Sequence, residues 1–226
     1  MEISLCLLTW NEIHGCRQAI PALPQENFTE VFALDGGSTD GTAEFLRESG
    51  ITVVEQRQRS YNAAYIEALE HYSGEAIVFY HPKGTVDEAS LPYLVDKLAS
   101  GFDFVVASRM LPESRNEEDD QLLRHRKWFG IALSHAASLR WNRSRSTRIT
   151  DPLHGYRGLS RAFADSFTLH PTGVTADLEM VRAAYCNGAR VAEVPVDESG
   201  REVGGTHFPA LSTGKQLLRY LLGNGH

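Results

Sequence analysis

The chain has 226 residues, 42% of them hydrophobic and 23% charged, and 29 Asp and Glu against 22 Lys and Arg leave a formal net charge of −7. That length can bury a full core in one α/β domain. That charge excludes a nonspecific nucleic-acid binder, which needs a basic footprint.

Ile3-Ser-Leu-Cys-Leu-Leu8 is almost wholly apolar, as a strand buried on both faces should be. It runs into Thr9-Trp10-Asn11-Glu12, and helix-compatible residues follow until Pro21 and Pro24. Val31–Leu34 reads as a second strand, residues 42–49 as a helix, and Ile51–Glu55 as a third strand. Ser60 is placed to cap a helix with Tyr61, Ala64, Tyr65, Ala68, Leu69 and Tyr72 on one stripe. Ala76–Tyr80 is a fourth strand ending at His81-Pro82-Lys83-Gly84; a helix opens at Asp87-Glu88 and runs to Ser100, and Phe102–Ala107 is a fifth strand ending in Ser108-Arg109. Strands alternating with helices of this length predict a mainly parallel sheet covered on both sides.

The second half is less regular. Residues 112–120 are polar and acidic and read as a mobile loop with a solvated charge run. A long amphipathic helix is expected from Gln121 to Trp141, with a basic cluster running from Arg124 to Arg148. That cluster suits either a lipid phosphate or anionic membrane surface, or simply a solvated helix face. Asp151-Pro-Leu-His-Gly-Tyr-Arg157 reads as a turn into a short strand, Ala176–Asn187 as a helix, Ala189–Pro195 as a strand, and 201–207 as a Gly-rich loop. Ala210–Leu222 is a final Leu-rich helix, read as a core or dimer contact. Nothing splits the chain, so one domain spans residues 1–226. Cys6, Cys16 and Cys186 form no Cys-x-x-Cys pair, which points to a reducing compartment and gives no zinc spacing. The N-terminus reads as a strand and not as a signal peptide, and no apolar run approaches the roughly 18 residues of a bilayer span. The expectation is a cytoplasmic protein, peripheral at most to the inner face of a membrane.

The densest candidate for chemistry is Asp35-Gly-Gly-Ser-Thr-Asp-Gly-Thr42. A carboxylate at a strand tip beside two glycines suits a ligand cleft at the carboxyl ends of strands; the same residues also make an ordinary strand–turn–helix connection. No Gly-x-Gly-x-x-Gly follows the first strand, which disfavours a Rossmann dehydrogenase.

Five strand-end segments together resemble family 2 glycosyltransferases, most nearly the dolichol- and polyprenyl-phosphate mannosyltransferase type. They are Leu8-Thr-Trp-Asn-Glu12, Asp35–Thr42, Ala107-Ser-Arg-Met110, Asp151–Arg157 and Arg201-Glu-Val-Gly-Gly-Thr-His207, in family order across almost the whole chain. The resemblance implies an α/β glycosyltransferase A-type fold: a mainly parallel nucleotide-binding sheet sandwiched by helices, residues 1–110 forming the nucleotide-sugar half and 111–226 the acceptor half. It implies a nucleotide diphosphate sugar as donor and an acceptor such as a polyprenyl phosphate, with inversion, and allows for a membrane partner protein or a homodimer. It places Leu8, Trp10, Glu12, Asp35 and Arg109 on the nucleotide sugar, and Arg201, His207 and Arg157 on phosphate or acceptor. Glu12 also suits the first turn of a helix, and Asp151 is either a base towards the acceptor or a structural residue.

The family's Asp-x-Asp, which would hold Mn²⁺ or Mg²⁺ against the donor diphosphate, is replaced here by His81-Pro82-Lys83. His81 could ligate one ion, but Lys83 would repel it. Either Lys83 supplies the positive charge itself, which makes it a catalytic candidate, or the protein binds nucleotide or sugar without turnover. Lys83 as a plain solvated lysine is the third reading.

Overall fold

A computed structural model of the chain describes residues 1–119, 121, 124–143, 147–200 and 209–223. Its strands are β1 (Ile3–Thr9), β2 (Glu30–Asp35), β3 (Thr52–Glu55), β4 (Ala76–Tyr80), β5 (Phe104–Ser108), β6 (Arg157–Ser160) and β7 (Val191–Pro195). Its helices are α1 (Ile13–Ala19), α2 (Thr42–Glu48), α3 (Tyr61–His71), α4 (Leu91–Ala99), α5 (His125–Trp141), α6 (Arg161–Ala164), α7 (Ala176–Asn187) and α8 (Ala210–Leu222). The seven strands form one sheet in the order β3-β2-β1-β4-β6-β5-β7. All pairings are parallel except those of β6, which runs antiparallel to both β4 and β5.

Alternation along the buried strands divides the core in two. Cys6, Leu8, Phe32, Leu34, Ile77, Phe79, Phe104 and Val106 point to one face, where Tyr65, Leu133, Leu178, Val181 and Leu217 of α3, α5, α7 and α8 cover them. Leu5, Leu7, Ala33, Val78, Tyr80 and Val105 point to the other, against Cys16, Leu46, Leu91, Leu94 and Leu98 of α1, α2 and α4. Ser60 accepts from the Ala63 N–H at 3.5 Å, so it caps α3 as expected.

Two expectations need correction. The acidic stretch after Pro112 is not a free solvated run over its described residues 112–119. Glu118 is buried, and its carboxylate accepts from the Arg126 and Lys127 amides at 3.3 and 2.9 Å. Asp119 pairs with Lys127 and Arg124. Carboxylates are drawn to the unsatisfied N–H groups of the first turn of α5, so the charge run is the helix's cap. The helix therefore begins at His125 and not at Gln121.

Candidate active site

The loops after β1 and β2 are tied to each other by side chains. Asp35 is 2% exposed, and its two oxygens accept from Gly37 N–H (3.0 Å), Ser38 N–H (2.7 Å), Thr9 Oγ1 (2.9 Å) and Ser38 Oγ (2.6 Å). Asn11, at φ +53°, donates its N–H to Ser38 Oγ at 2.8 Å and accepts from Thr39 N–H at 2.8 Å. Asp40 accepts from the Ile13 and Thr42 amides at 3.1 and 3.0 Å. Asp35 thus builds the turn and is not among the residues lining the cleft. The lining at this end comes from Leu8, Trp10, Glu12, Gly36, Gln56 and Arg59, with the Arg59 guanidinium 4.3 Å above the Trp10 ring.

The tip of β4 carries His81-Pro82-Lys83. Gly15 of α1 lies so close beneath it that a Cβ there would stand 2.2 Å from the Pro82 carbonyl oxygen. His81 has its ring parallel to Tyr61 at 6.1 Å and its Nε2 3.3 Å from the Tyr65 hydroxyl. A Cβ on Gly155 would come within 2.5 Å of the same Nε2, so glycine is needed there for packing. Tyr61 donates to Asp177 at 2.8 Å, and Tyr65 lies 3.3 Å from the other oxygen of Asp177. Burial raises the Asp177 carboxyl above its ordinary range, while Arg157 pulls against that rise.

Arg157 itself is fully buried. It pairs with Asp177 at 3.1 Å and donates to the His154 and Asp177 carbonyls. Its expected role on phosphate or acceptor does not fit this placement, because its guanidinium is fully buried, paired with Asp177 and not among the residues lining the cleft.

Arg109 sits at the end of β5 with a forked pair to Asp151 (Nε to Oδ2 2.7 Å, Nη2 to Oδ1 3.0 Å), and its Nη1 donates to Glu198 at 2.7 Å. Asp151 is 1% exposed with both oxygens engaged, which removes it as a base and makes it the residue that orients Arg109. Burial alone would raise the Asp151 carboxyl, but the Arg109 charge more than offsets it and holds the group down to about 2. His154, buried beside this trio, is held down to about 4 by desolvation and by Arg109, and Nδ1 faces the Ala107 carbonyl at 2.6 Å.

All these strand ends meet in one cleft of about 610 Å³, lined among others by His81, Lys83, Tyr61, Arg109 and Glu198 and by Ser212, Thr213 and Gln216 of α8. Leu8, Trp10, Glu12, His81, Lys83 and Arg109 are thus brought together; Asp35, Asp151 and Arg157 support the cleft from behind. Arg201 and His207 lie outside the described residues. Gln56, Arg59, Tyr61, Asp177 and Glu198 were missed in the sequence. Tyr61 reads there as one more member of an apolar helix stripe, and Asp177 is passed over inside the Ala176–Asn187 helix. Glu198 stands three residues before Arg201, and that spacing was its one available signal.

Among the described residues the donor set does not suit a divalent cation: no group of three or more His, Cys, Asp or Glu could hold one. At the β4 tip a single imidazole stands beside an ammonium, and Arg109 engages both oxygens of Asp151 and one of Glu198.

A family model described as Glycosyl transferase family 2 matches residues 4–167. The glycosyltransferase AglJ of Haloferax volcanii is 27% identical over 201 residues, which span 85% of this chain and 62% of AglJ, under two thirds of that relative's length. A dolichyl-phosphate hexose transferase of the same organism is 25% identical over 198 residues, 86% of this chain and 82% of its own. Among solved structures, glucosyl-3-phosphoglycerate synthase from Mycobacterium tuberculosis in complex with Mn²⁺ and UDP-glucose superposes with a TM-score of 0.73 at 22% identity, covering 99% of this chain and 78% of that one. The same enzyme with Mg²⁺ and UDP gives a TM-score of 0.74 at 20% identity, covering 99% and 79%. At those identities the likeness establishes the fold.

Proposed function

The chain belongs to glycosyltransferase family 2, and on that premise we propose that it moves a sugar from a nucleotide diphosphate donor to a polyprenyl phosphate, with inversion and without a divalent cation. The observation that carries this reading is the cleft at the carboxyl ends of the sheet, with Trp10 and Arg59 at one end and Lys83 where a metal-dependent relative needs carboxylates. The nucleoside stacks at Trp10 and the diphosphate lies towards Lys83. As the acceptor oxygen attacks the anomeric carbon from the opposite side, the bond to the diphosphate breaks and the Lys83 ammonium offsets the charge that develops there. Arg109 shares this task only weakly, since two carboxylates already neutralise it.

A phosphate acceptor is supported by the enclosed state of Asp151. A phosphomonoester, with a second pKa of about 6, arrives ionised and needs no base. A lipid-borne acceptor is supported by α5 and α8, which lie side by side through Trp141 and Tyr220. They leave Trp128, Leu139, Leu211, Leu218 and Leu222 exposed, with Arg140, Lys215 and Arg219 on the same helices. Among the described residues no helix is long and apolar enough to cross a membrane. Residues 1–110 supply the donor half of the cleft and 111–226 its acceptor wall.

The test is calorimetric titration of UDP, GDP, UDP-glucose and GDP-mannose in EDTA, followed by transfer of labelled sugar to a polyprenyl phosphate. At least one nucleotide should bind, and Lys83→Ala should weaken it about tenfold or more, the size of one charge-assisted hydrogen bond. Transfer that needs Mn²⁺ would overturn the role given to Lys83. The altered β4 tip also favours a second reading, a protein that binds without turnover; it prevails if nucleotide binds and sugar is neither released nor transferred. If no nucleotide binds, both readings fail.

A further inference from the structure

Glu198 lines the cleft together with Lys83, where a diphosphate has no use for a negative charge; against the desolvation of burial, Arg109 above all, with smaller help from His154 and Lys83, holds its carboxyl below the ordinary range. The structure nevertheless fixes it firmly. Glu198 bridges antiparallel to Val86, its N–H donates to the Arg115 carbonyl at 2.9 Å, and the next amide, of Ser199, donates to the Thr85 carbonyl at 2.8 Å. The segment that follows His81-Pro82-Lys83 therefore sets the height of Glu198 in the cleft. Arg109 Nη1 then grips Oε2 at 2.7 Å, and Oε1 receives no hydrogen bond among the described residues.

Pairing with Arg109 alone does not explain it. Asp151 already matches Arg109 through a two-point fork, so the trio of Arg109, Asp151 and Glu198 is left with one surplus negative charge, whose further cation in the cleft is Lys83. A carboxylate accepts hydrogen bonds and repels anions. Of the parts of a nucleotide sugar, the nucleobase N–H groups and the ribose and hexose hydroxyls are donors that suit it, and the phosphates are not; with the nucleoside placed at Trp10, the hexose hydroxyls are the ones left for Glu198.

Building on the glycosyltransferase reading, we propose that Glu198, reaching into the cleft from the acceptor half of the chain, is the residue that selects the donor sugar. Its Oε1 accepts from hydroxyls of a neutral hexose, and its charge turns away hexuronates. Arg109 holds the carboxylate in one rotamer before the sugar arrives, so little ordering is left to do on binding.

The experiment uses the full chain in EDTA and measures, by calorimetry, the affinities of UDP, GDP, UDP-glucose, GDP-mannose and UDP-glucuronate for wild type, Glu198→Gln and Glu198→Ala. Both substitutions should weaken the preferred hexose nucleotide by about 10- to 100-fold. The free diphosphate should bind as before or more tightly, because a negative charge beside Lys83 is gone. Discrimination against UDP-glucuronate should narrow by about tenfold or more. Equal losses for the diphosphate and the sugar nucleotide would mean that Glu198 only orders Arg109, and would overturn the proposal. Unchanged affinities for both would do the same. So would a wild-type affinity that rises with Mn²⁺ and loses that rise in Glu198→Gln, which marks a cation ligand. Glu198→Gln keeps the shape and an oxygen for Arg109, and a melting curve checks that it folds should Glu198→Ala not. Wild type that binds no nucleotide sinks the enzyme reading itself, whereas nucleotide binding with unmoved Glu198 variants sinks only this inference.

Discussion

Between pH 6.5 and about 4 the stability of this protein should be set in good part by His154. Desolvation and the Arg109 charge keep its imidazole neutral in the folded state, while the unfolded chain protonates normally. The unfolded state thus binds the extra proton in that window. The contribution is complete above pH 6.5 and is lost as pH falls towards 4, about 3 kcal/mol at full extent. Asp151 acts lower down: its folded pKa is depressed from 3.8 to about 2, so its contribution holds above 3.8 and is lost only below it. Urea unfolding at pH 7 and pH 4.5 should show wild type losing more stability than His154→Asn, whose amide can still donate to the Ala107 carbonyl. Equal losses would disprove the assignment. Arg157 illustrates a different point about single residues. The family resemblance puts Arg157 on phosphate or acceptor, but a charge 0% exposed has to be paired, and Asp177 pairs it.

Among the elements, α1 has a task that its seven residues do not advertise. Its Gly15 is the surface on which the His81-Pro82-Lys83 segment rests, at a spacing that leaves no room for a methyl group. The atoms a Cβ would meet are backbone, which cannot swing aside as a side chain can. Gly15→Ala should therefore cost about 1–3 kcal/mol of stability and, by displacing Lys83, weaken nucleoside diphosphate binding. Urea titration and calorimetry on the same preparation would show both; a variant with wild-type values in each would rule out this support. The acidic loop ahead of α5 is the converse case. Its composition suggests solvent, and its position beside a helix N-terminus decides otherwise.

For the molecule as a whole, strand order is decisive. β6 comes from the second half of the chain and lies between β4 and β5 of the first, and β7 closes the far side of β5. The two halves share one sheet and are not separable folds. A fragment of residues 1–110 would leave β5 with neither sheet neighbour, exposing Phe104 and Val106, which are 0% exposed in the full chain. It should fail to fold, and the intact chain should unfold in urea in one transition by both circular dichroism and tryptophan fluorescence. A folded fragment or two separated transitions would contradict this.

The sequence by itself determined the alternating strands and helices, the Ser60 cap, and the strand ends at which a site must lie. These follow from local periodicity and turn chemistry, which act over a few residues. The family resemblance names Leu8, Trp10 and Arg109, the altered motif after β4 names Lys83, and all four line the cleft. Only the tertiary structure decided which polar groups at those ends face the cleft. Asp35 is consumed by its own turn, Asp151 by Arg109, and Arg157 by Asp177, while Glu198 is carried in from 89 residues beyond Arg109 to line the cleft. The physical reason is that a buried charge takes whatever partner the fold sets beside it, and such partners lie far away along the chain.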